Sequence, residues 1–181
     1  MICGIDPGLV IGISFIFVNV DTFKIEKYKS LTVNCHKLIL SNTTIENKTE
    51  RLAKLEKLSK ILYKEFEYNK PCAVCIESPF YSSRTPSAFG SIKEITEVVK
   101  NALNEYDNSL LLLSIDPPTV KKSVKAKGNH DKDHVKEKVI NIYKEIENIG
   151  DIDLLYLDEH SIDSLAICYG VYDHAFYHRE E

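Results

Sequence analysis

Tryptophan is missing from this chain, methionine occurs once, and no apolar run approaches the ~18–20 residues that crossing a bilayer requires. Without such a run a membrane-spanning helix is excluded. The N-terminus also carries no basic stretch ahead of its apolar residues, which argues against a secretory leader and for an intracellular location, the cytoplasm of a cell or host cell. Glycine is sparse, and no Gly-x-Gly-x-x-Gly follows the first apolar run, which removes a dinucleotide-binding fold. Cysteines number five, an odd count, and Cys3, Cys72, Cys75 and Cys168 lie in apolar sequence typical of buried thiols rather than of a disulfide framework. Cys72-Ala-Val-Cys75 has the spacing of a redox or zinc pair, but in a strand residues three apart point to opposite faces. Positive charge is in deficit: 23 Lys and Arg against 27 Asp and Glu leave a formal charge of −4. That balance alone speaks against a nucleic-acid partner.

What is present is the composition of a globular protein, 44% hydrophobic and 28% charged over 181 residues, most simply a single domain covering 1–181. The chain opens on an apolar run, Ile2 to Ile5, that reads as a buried strand and stops at Asp6-Pro7-Gly8. A carboxylate is thereby left at the end of a buried strand, where it needs a cation or hydrogen bonds. The plain alternative is a turn-capping Asp. Leu9 to Val20 reads as the hairpin partner and Lys24 to Val33 as a third strand. A long helix is expected from about Thr43 to Tyr68, with Thr43 and Glu46 as a capping box and Leu52, Leu55, Leu58, Ile61 and Leu62 as its apolar stripe. Cys72 to Ile76 is again a short apolar strand, and it too ends in an acid and a breaker, Glu77-Ser78-Pro79.

After a loop containing Phe80, Tyr81 and Arg84, Thr85-Pro86 starts a second helix reaching about Tyr106, with Ala88, Ile92, Ile95, Val98, Val99, Ala102 and Leu103 on one face. Leu110 to Ile115 reads as a fourth buried strand, Pro118 to Ala126 as a lysine-rich helix, Asp131 to Glu147 as another helix, and Asp158 to Tyr177 as the last. The expected architecture is a mixed sheet with helices on both faces. Between Thr119 and Lys138 seven lysines (121, 122, 125, 127, 132, 136 and 138) outnumber Asp131, Asp133 and Glu137, a local positive excess within an acidic protein. A solvated helix face is the simple explanation, and a phosphate-binding surface the functional one.

In the last helix His160 and Asp163 lie three apart and share a face, beside the apolar positions Ile162, Leu165, Ala166 and Tyr169. Asp6, Glu77 and Asp163, with His160, are therefore candidates to meet at one end of the sheet. An all-oxygen cluster suits Mg²⁺ or Mn²⁺ rather than zinc, and a pair of such ions can activate water and stabilise the leaving oxygen of a phosphodiester.

Gly-Ile-Asp6-Pro-Gly, Ile-Glu77-Ser-Pro-Phe and His160-Ser-Ile-Asp163-Ser-Leu-Ala-Ile, in this order, resemble the RuvC family of Holliday junction resolvases. Val120-Lys121-Lys122-Ser123-Val124 through Gly128, Lys132 and Val135 resembles its basic stretch. The resemblance extends over most of the chain, and its divergent loops and length suit a phage or viral member. It implies an RNase H-like fold, a homodimer, and symmetric paired nicking of four-way DNA junctions with two Mg²⁺ per site, for which Mn²⁺ can substitute. It further implies Asp6, Glu77, Asp163 and His160 as metal ligands, His160 alternatively helping to position and deprotonate water. Lys121 and Lys132 would hold phosphate, Lys132 close to the reaction, and Phe80 would stack on bases. Tyr81, Arg84, Lys122, Lys125 and Lys127 extend the DNA surface. His130 and His134 are spaced like helix metal ligands but are expected to face solvent or DNA. Asn34 to Lys48 and Asp151 to Asp153 have no counterpart in the resemblance.

Three rival readings remain. Strands ending in acids also occur in actin-like kinases, which need two such domains around a nucleotide. A related RNase H-fold nuclease would cut RNA–DNA hybrids or general branched DNA. A non-catalytic junction binder would gain nothing from gathering carboxylates against phosphate unless cations sit between them.

Overall fold

The computed structural model describes residues 1–40, 49–79, 86–126 and 132–176, and of residues 86–88 and 132 the backbone. Its framework is a six-stranded mixed sheet in the order β5-β4-β1-β2-β3-β6. β1 (Ile2–Asp6), β2 (Val10–Val18) and β3 (Ile25–Asn34) form an antiparallel meander. β4 (Ala73–Glu77) and β5 (Leu112–Ile115) add parallel to β1, and β6 (Glu147–Asn148) adds parallel to β3.

Alternation along the strands divides the core into two layers. Cys3, Ile5, Ile11, Ile13, Phe15, Val74 and Ile76 face α1 (Glu50–Asn69) and α2 (Pro86–Tyr106). Ile2, Ile16, Tyr28 and Cys75 face α3 (Pro117–Ser123), α4 (Lys132–Tyr143) and α5 (Glu159–Phe176). The expected α/β sandwich, a mixed sheet with helices on both faces, is the observed architecture.

Local departures from the expected elements have physical causes. α1 starts at Glu50, not near Thr43, because the Thr49 hydroxyl caps it by accepting from the Leu52 amide at 3.4 Å. The expected box at Thr43 and Glu46 lies outside the described residues. The buried stripe of α1 runs Ala53, Leu58, Leu62, Phe66, while Leu52, beside the cap, is exposed. The strand expected over Leu110 to Ile115, β5, is an edge rather than a buried strand, with Leu111 and Leu113 exposed. α4 stops at Tyr143, and its expected last turn instead supplies β6. Cys72 is exposed just before β4 whereas Cys75 is buried within it, so this pair shares no face, and all five cysteines are free. Among the described residues no helix is long and apolar enough to cross a membrane.

Thr49→Ala should cost about 1 kcal/mol of unfolding free energy, the usual value of an N-cap hydroxyl, measured by urea titration. A neutral substitution would place the start of α1 elsewhere.

Candidate active site

Two strand ends supply the floor. β1 and β4 run parallel with Ile5 level with Ile76, so Asp6 and Glu77, the last residues of each, are lateral neighbours. Adjacent strands lie about 4.8 Å apart. Alternation aims both acids at the α5 layer, the side of Cys75. Pro7-Gly8 and Ser78-Pro79 end the strands immediately beyond them. Ser78 is clamped to the neighbouring strand, its amide and hydroxyl both donating to the Ile115 carbonyl at 2.8 and 3.0 Å. The end of β4 is thus held where Glu77 projects.

α5 supplies the wall, and it comes unusually near. A Cβ at Gly12 would collide with the His160 carbonyl, and one at Gly4 would stand 2.5 Å from the Ser164 carbonyl. Backbone lies against backbone there, which only glycine permits. The first turn of α5 is capped by Asp158, whose Oδ1 accepts from the Ser161 amide at 2.8 Å. From that turn His160 reaches Asp6, Nδ1 to Oδ2 2.8 Å, with 30% and 13% of the two side chains exposed.

One turn further along α5, Asp163 lines a cavity of about 170 Å³ together with Glu77, Pro117, Val120, Lys121, Val135 and Ile167. Burial pushes the Glu77 carboxyl up to about 7, the negative charges of Asp6 and Asp163 add to the rise, and the Lys121 ammonium opposes it. The order of causes matters: the site is dry enough to penalise charge, and it then collects like charges. Asp6, Glu77, Asp163 and His160 therefore form one electrostatic unit drawn from β1, β4 and α5.

The basic residues divide. Lys121 is half-buried in the cavity wall, while Lys122 and Lys125 are exposed on and just beyond α3. Lys132 is the first residue of α4, three positions before Val135 of the cavity wall. Phe80, Tyr81, Arg84, Lys127 and His130 lie outside the described residues. His134 stands 3.7 Å from Glu137 on the same helix.

Asp116 is a useful contrast. It too follows a strand and precedes proline, yet its carboxylate caps α3, accepting from the Thr119 amide at 3.0 Å and hydroxyl at 2.6 Å. These bonds hold it below the usual carboxylate range. Local sequence alone does not separate a strand-end acid that caps from one that faces a cavity.

Sequence reasoning passed over Gly12, Ser14 and Pro117, and it quoted Ser164 and Val120 within motifs without giving them a role; Gly12, Ser14 and Ser164 seat α5 on the sheet, and Pro117 and Val120 wall the cavity. Their signal was the run of small residues at alternate β2 positions, Gly12 and Ser14, opposite Ser161 and Ser164 on the helix.

Among the described residues, no group of three or more His, Cys, Asp or Glu side chains is arranged to hold a metal ion as it stands. The donor chemistry nevertheless fits a hard divalent cation. Carboxylate oxygens are its preferred ligands, and a cation among them would offset both the burial of the Glu77 charge and the like charges of Asp6 and Asp163 that add to it.

No family model and no curated protein matches the chain. Solved structures do. Thermus thermophilus RuvC in complex with Holliday junction substrate superposes with a TM-score of 0.67 at 16% identity, over 96% of this chain and 94% of that one. A second Thermus thermophilus RuvC structure gives 0.65 at 18% identity, over 96% and 95%. The yeast mitochondrial Holliday junction resolvase Ydc2 gives 0.63 at 16% identity, over 94% and 77%. The chain thus shares the fold of the RuvC structures, the family that its motifs resemble.

A pH dependence follows from Glu77. Its folded pKa lies above the unfolded value of 4.5, so the folded state keeps a proton that the unfolded chain releases. Its stabilising contribution is complete below pH 4.5 and is lost as pH rises through about 7, an effect of up to about 3 kcal/mol. In metal-free buffer Glu77→Gln should melt above the wild type at pH 8, and its Tm should vary less with pH between 4.5 and 8. Parallel Tm–pH curves for the two proteins would show that Glu77 is not the strained carboxylate.

Proposed function

We propose that the chain is a divalent-metal-dependent, structure-selective DNA endonuclease that acts as a homodimer and resolves four-way junctions by symmetric paired nicks. The observation that carries this reading is the convergence on one rim of the sheet of Asp6 with His160, and of Glu77 with Asp163 and Lys121 around a common cavity. The fold likeness to resolvases, one of them bound to a Holliday junction, supports the substrate class.

Asp6, Glu77, Asp163 and His160 would hold two Mg²⁺, with Mn²⁺ able to substitute. Bound there, the metal supplies Lewis acidity and a more acidic water at neutral pH. The chain's own groups then orient and stabilise. Asp6 fixes the imidazole through Nδ1, which leaves Nε2 of His160 as the nitrogen that takes a ligand or a proton. Lys121, facing the acids across the cavity, holds a scissile phosphate close to them and offsets charge that builds on its oxygens. Lys132 at the head of α4 serves the same phosphate, and Lys122, Lys125 and Lys127 track the neighbouring backbone. Phe80, Tyr81 and Arg84, just beyond Glu77, would meet bases at the junction centre, where stacking is worth about 1–3 kcal/mol per base. The broad apolar face of α2 serves the dimer as well as the core.

The test offers labelled four-way, three-way, flap and RNA–DNA hybrid substrates with Mg²⁺ to the wild type, Asp6→Asn and Glu77→Gln. The wild type should cut four-way junctions, and both variants should bind them without cutting, because each loses a carboxylate that would hold the metal. Cleavage of hybrids but not junctions would replace this reading with an RNase H activity, and binding without cleavage by the wild type would make the chain a junction binder. Lys121→Ala should weaken junction binding and reduce the slope of log affinity against log salt by about one. An unchanged slope would take Lys121 off the DNA.

A further inference from the structure

Beneath the first turns of α5 lies a run of buried hydroxyls that the proposed chemistry does not use. Ser14 of β2 is fully buried and touches Ser30 of β3 (Oγ to Oγ 2.7 Å) and Ser164 of α5 (2.6 Å). Ser164 donates to the Ser161 carbonyl at 3.0 Å, and Ser14 and Ser30 also lie 3.4 Å from that oxygen. A second run is joined to the same turn: the Ser161 and Thr32 hydroxyls are 2.8 Å apart, and Thr32 donates to Asp158 Oδ1 at 2.9 Å.

Each hydroxyl has one proton to give, and of the three serines near the Ser161 carbonyl Ser164 stands nearest, 3.0 Å against 3.4 Å, which favours it as the donor there and orders the first run. With Ser164 committed to the Ser161 carbonyl, Ser14 donates to Ser164 and Ser30 donates to Ser14. With Thr32 committed to Asp158, Ser161 donates to Thr32. Every member is then served, and among the described residues no buried side-chain nitrogen or oxygen lacks a partner. An apolar helix–sheet contact tolerates small slides, because dispersion is weakly directional. A directed hydroxyl run does not, since a displaced helix strands a buried oxygen.

The turn pinned in this way is the one that carries His160 and, one turn on, Asp163. Ser161 and Ser164 follow each of them by one residue, so a rotation that unseats the serines also swings His160 off Asp6. Gly12 lies beside the same turn, so no intervening side chain cushions a shift.

We infer that Ser14 is a positioning residue, which through Ser164 and the Ser161 carbonyl sets the rotation and height of α5 and thereby the His160–Asp6 contact. Its consequence for cleavage rests on the proposed function, whereas the contact itself is observable without DNA. Because Ser14 stands mid-run and Ser30 at its donor end, the two serines differ. Loss of Ser30 leaves Ser14 free to serve Ser164, and loss of Ser14 cuts the run.

The experiment records the His160 imidazole ¹H–¹⁵N correlations of the metal-free protein, with Asp6→Asn as the reference for a lost contact. In parallel, kcat and KM are measured on a four-way junction with Mg²⁺. Ser14→Ala should move the His160 resonances towards those of Asp6→Asn and lower kcat roughly 10- to 100-fold, the scale of a misplacement of about 1 Å, with KM within about twofold. Ser30→Ala should do much less of both. Val99→Ala, a buried truncation in α2 on the opposite face of the sheet, controls for lost stability and should leave the His160 resonances in place. Ser164→Ala, which cuts the run at its helix end, is read in the same way if Ser14→Ala does not fold. Wild-type His160 resonances in Ser14→Ala, equal effects of Ser14→Ala and Ser30→Ala, or an equal shift in Val99→Ala would overturn the inference. A wild type that cuts no junction would end the proposed function, while the imidazole comparison would still decide the role of Ser14.

Discussion

The direct contact of the α5 backbone with β1 and β2 is the constraint on which the rest depends. A helix normally rests on a sheet through interleaved side chains from both layers. At Gly4 and Gly12 no such side chain intervenes, and a single methyl group would meet the carbonyls of Ser164 and His160. Glycine inside a strand costs conformational entropy and forgoes side-chain burial. Here it allows side chains 154 residues apart, Asp6 and His160, to reach hydrogen-bond distance at the sheet rim. Cys168, Leu165 and Ile162 then pack the remaining length of the helix, all but out of reach of solvent.

That approach creates an electrostatic problem which the surroundings partly answer. Strand pairing sets Asp6 and Glu77 side by side, and α5 brings Asp163 to the cavity that Glu77 lines. Burial and like charge lift the Glu77 pKa, and Lys121 on α3 is the counterweight. Asp116 shows the other outcome of the same local pattern: given a helix amide and a hydroxyl to accept from, an acid after a strand becomes a cap and its pKa falls. A cation among Asp6, Glu77 and Asp163 would offset their like charge, and the proposed metal-dependent chemistry stands on their convergence at one rim of the sheet.

The likeness to RuvC structures extends over nearly the whole chain at 16–18% identity. Such a fold survives wide substitution because its skeleton needs little more than alternation, a parallel pair of strand ends and a helix that lies close.

Much of this was legible along the chain. β1 and β4 announced themselves as short apolar runs closed by an acid and a breaker, and α2 and α5 by their periodicity, because those signals are local and strong. The acids Asp6, Glu77 and Asp163 could be named for the same reason. Local rules misplaced the start of α1, where two threonines competed as caps, and read β5 as buried and β6 as helix, since edge position and a two-residue pairing depend on which strands lie alongside. The amino-acid order by itself determined the longer strands and helices and which residues carry charge, because these follow from side-chain pattern and backbone preference. Only the tertiary structure decided that β1 and β4 lie in register, that glycines at 4 and 12 admit α5, and that hydroxyls from three elements lock it there. Those contacts join residues as far apart as Gly4 and Ser164, 160 positions along the chain, and no local preference encodes a partner at that distance.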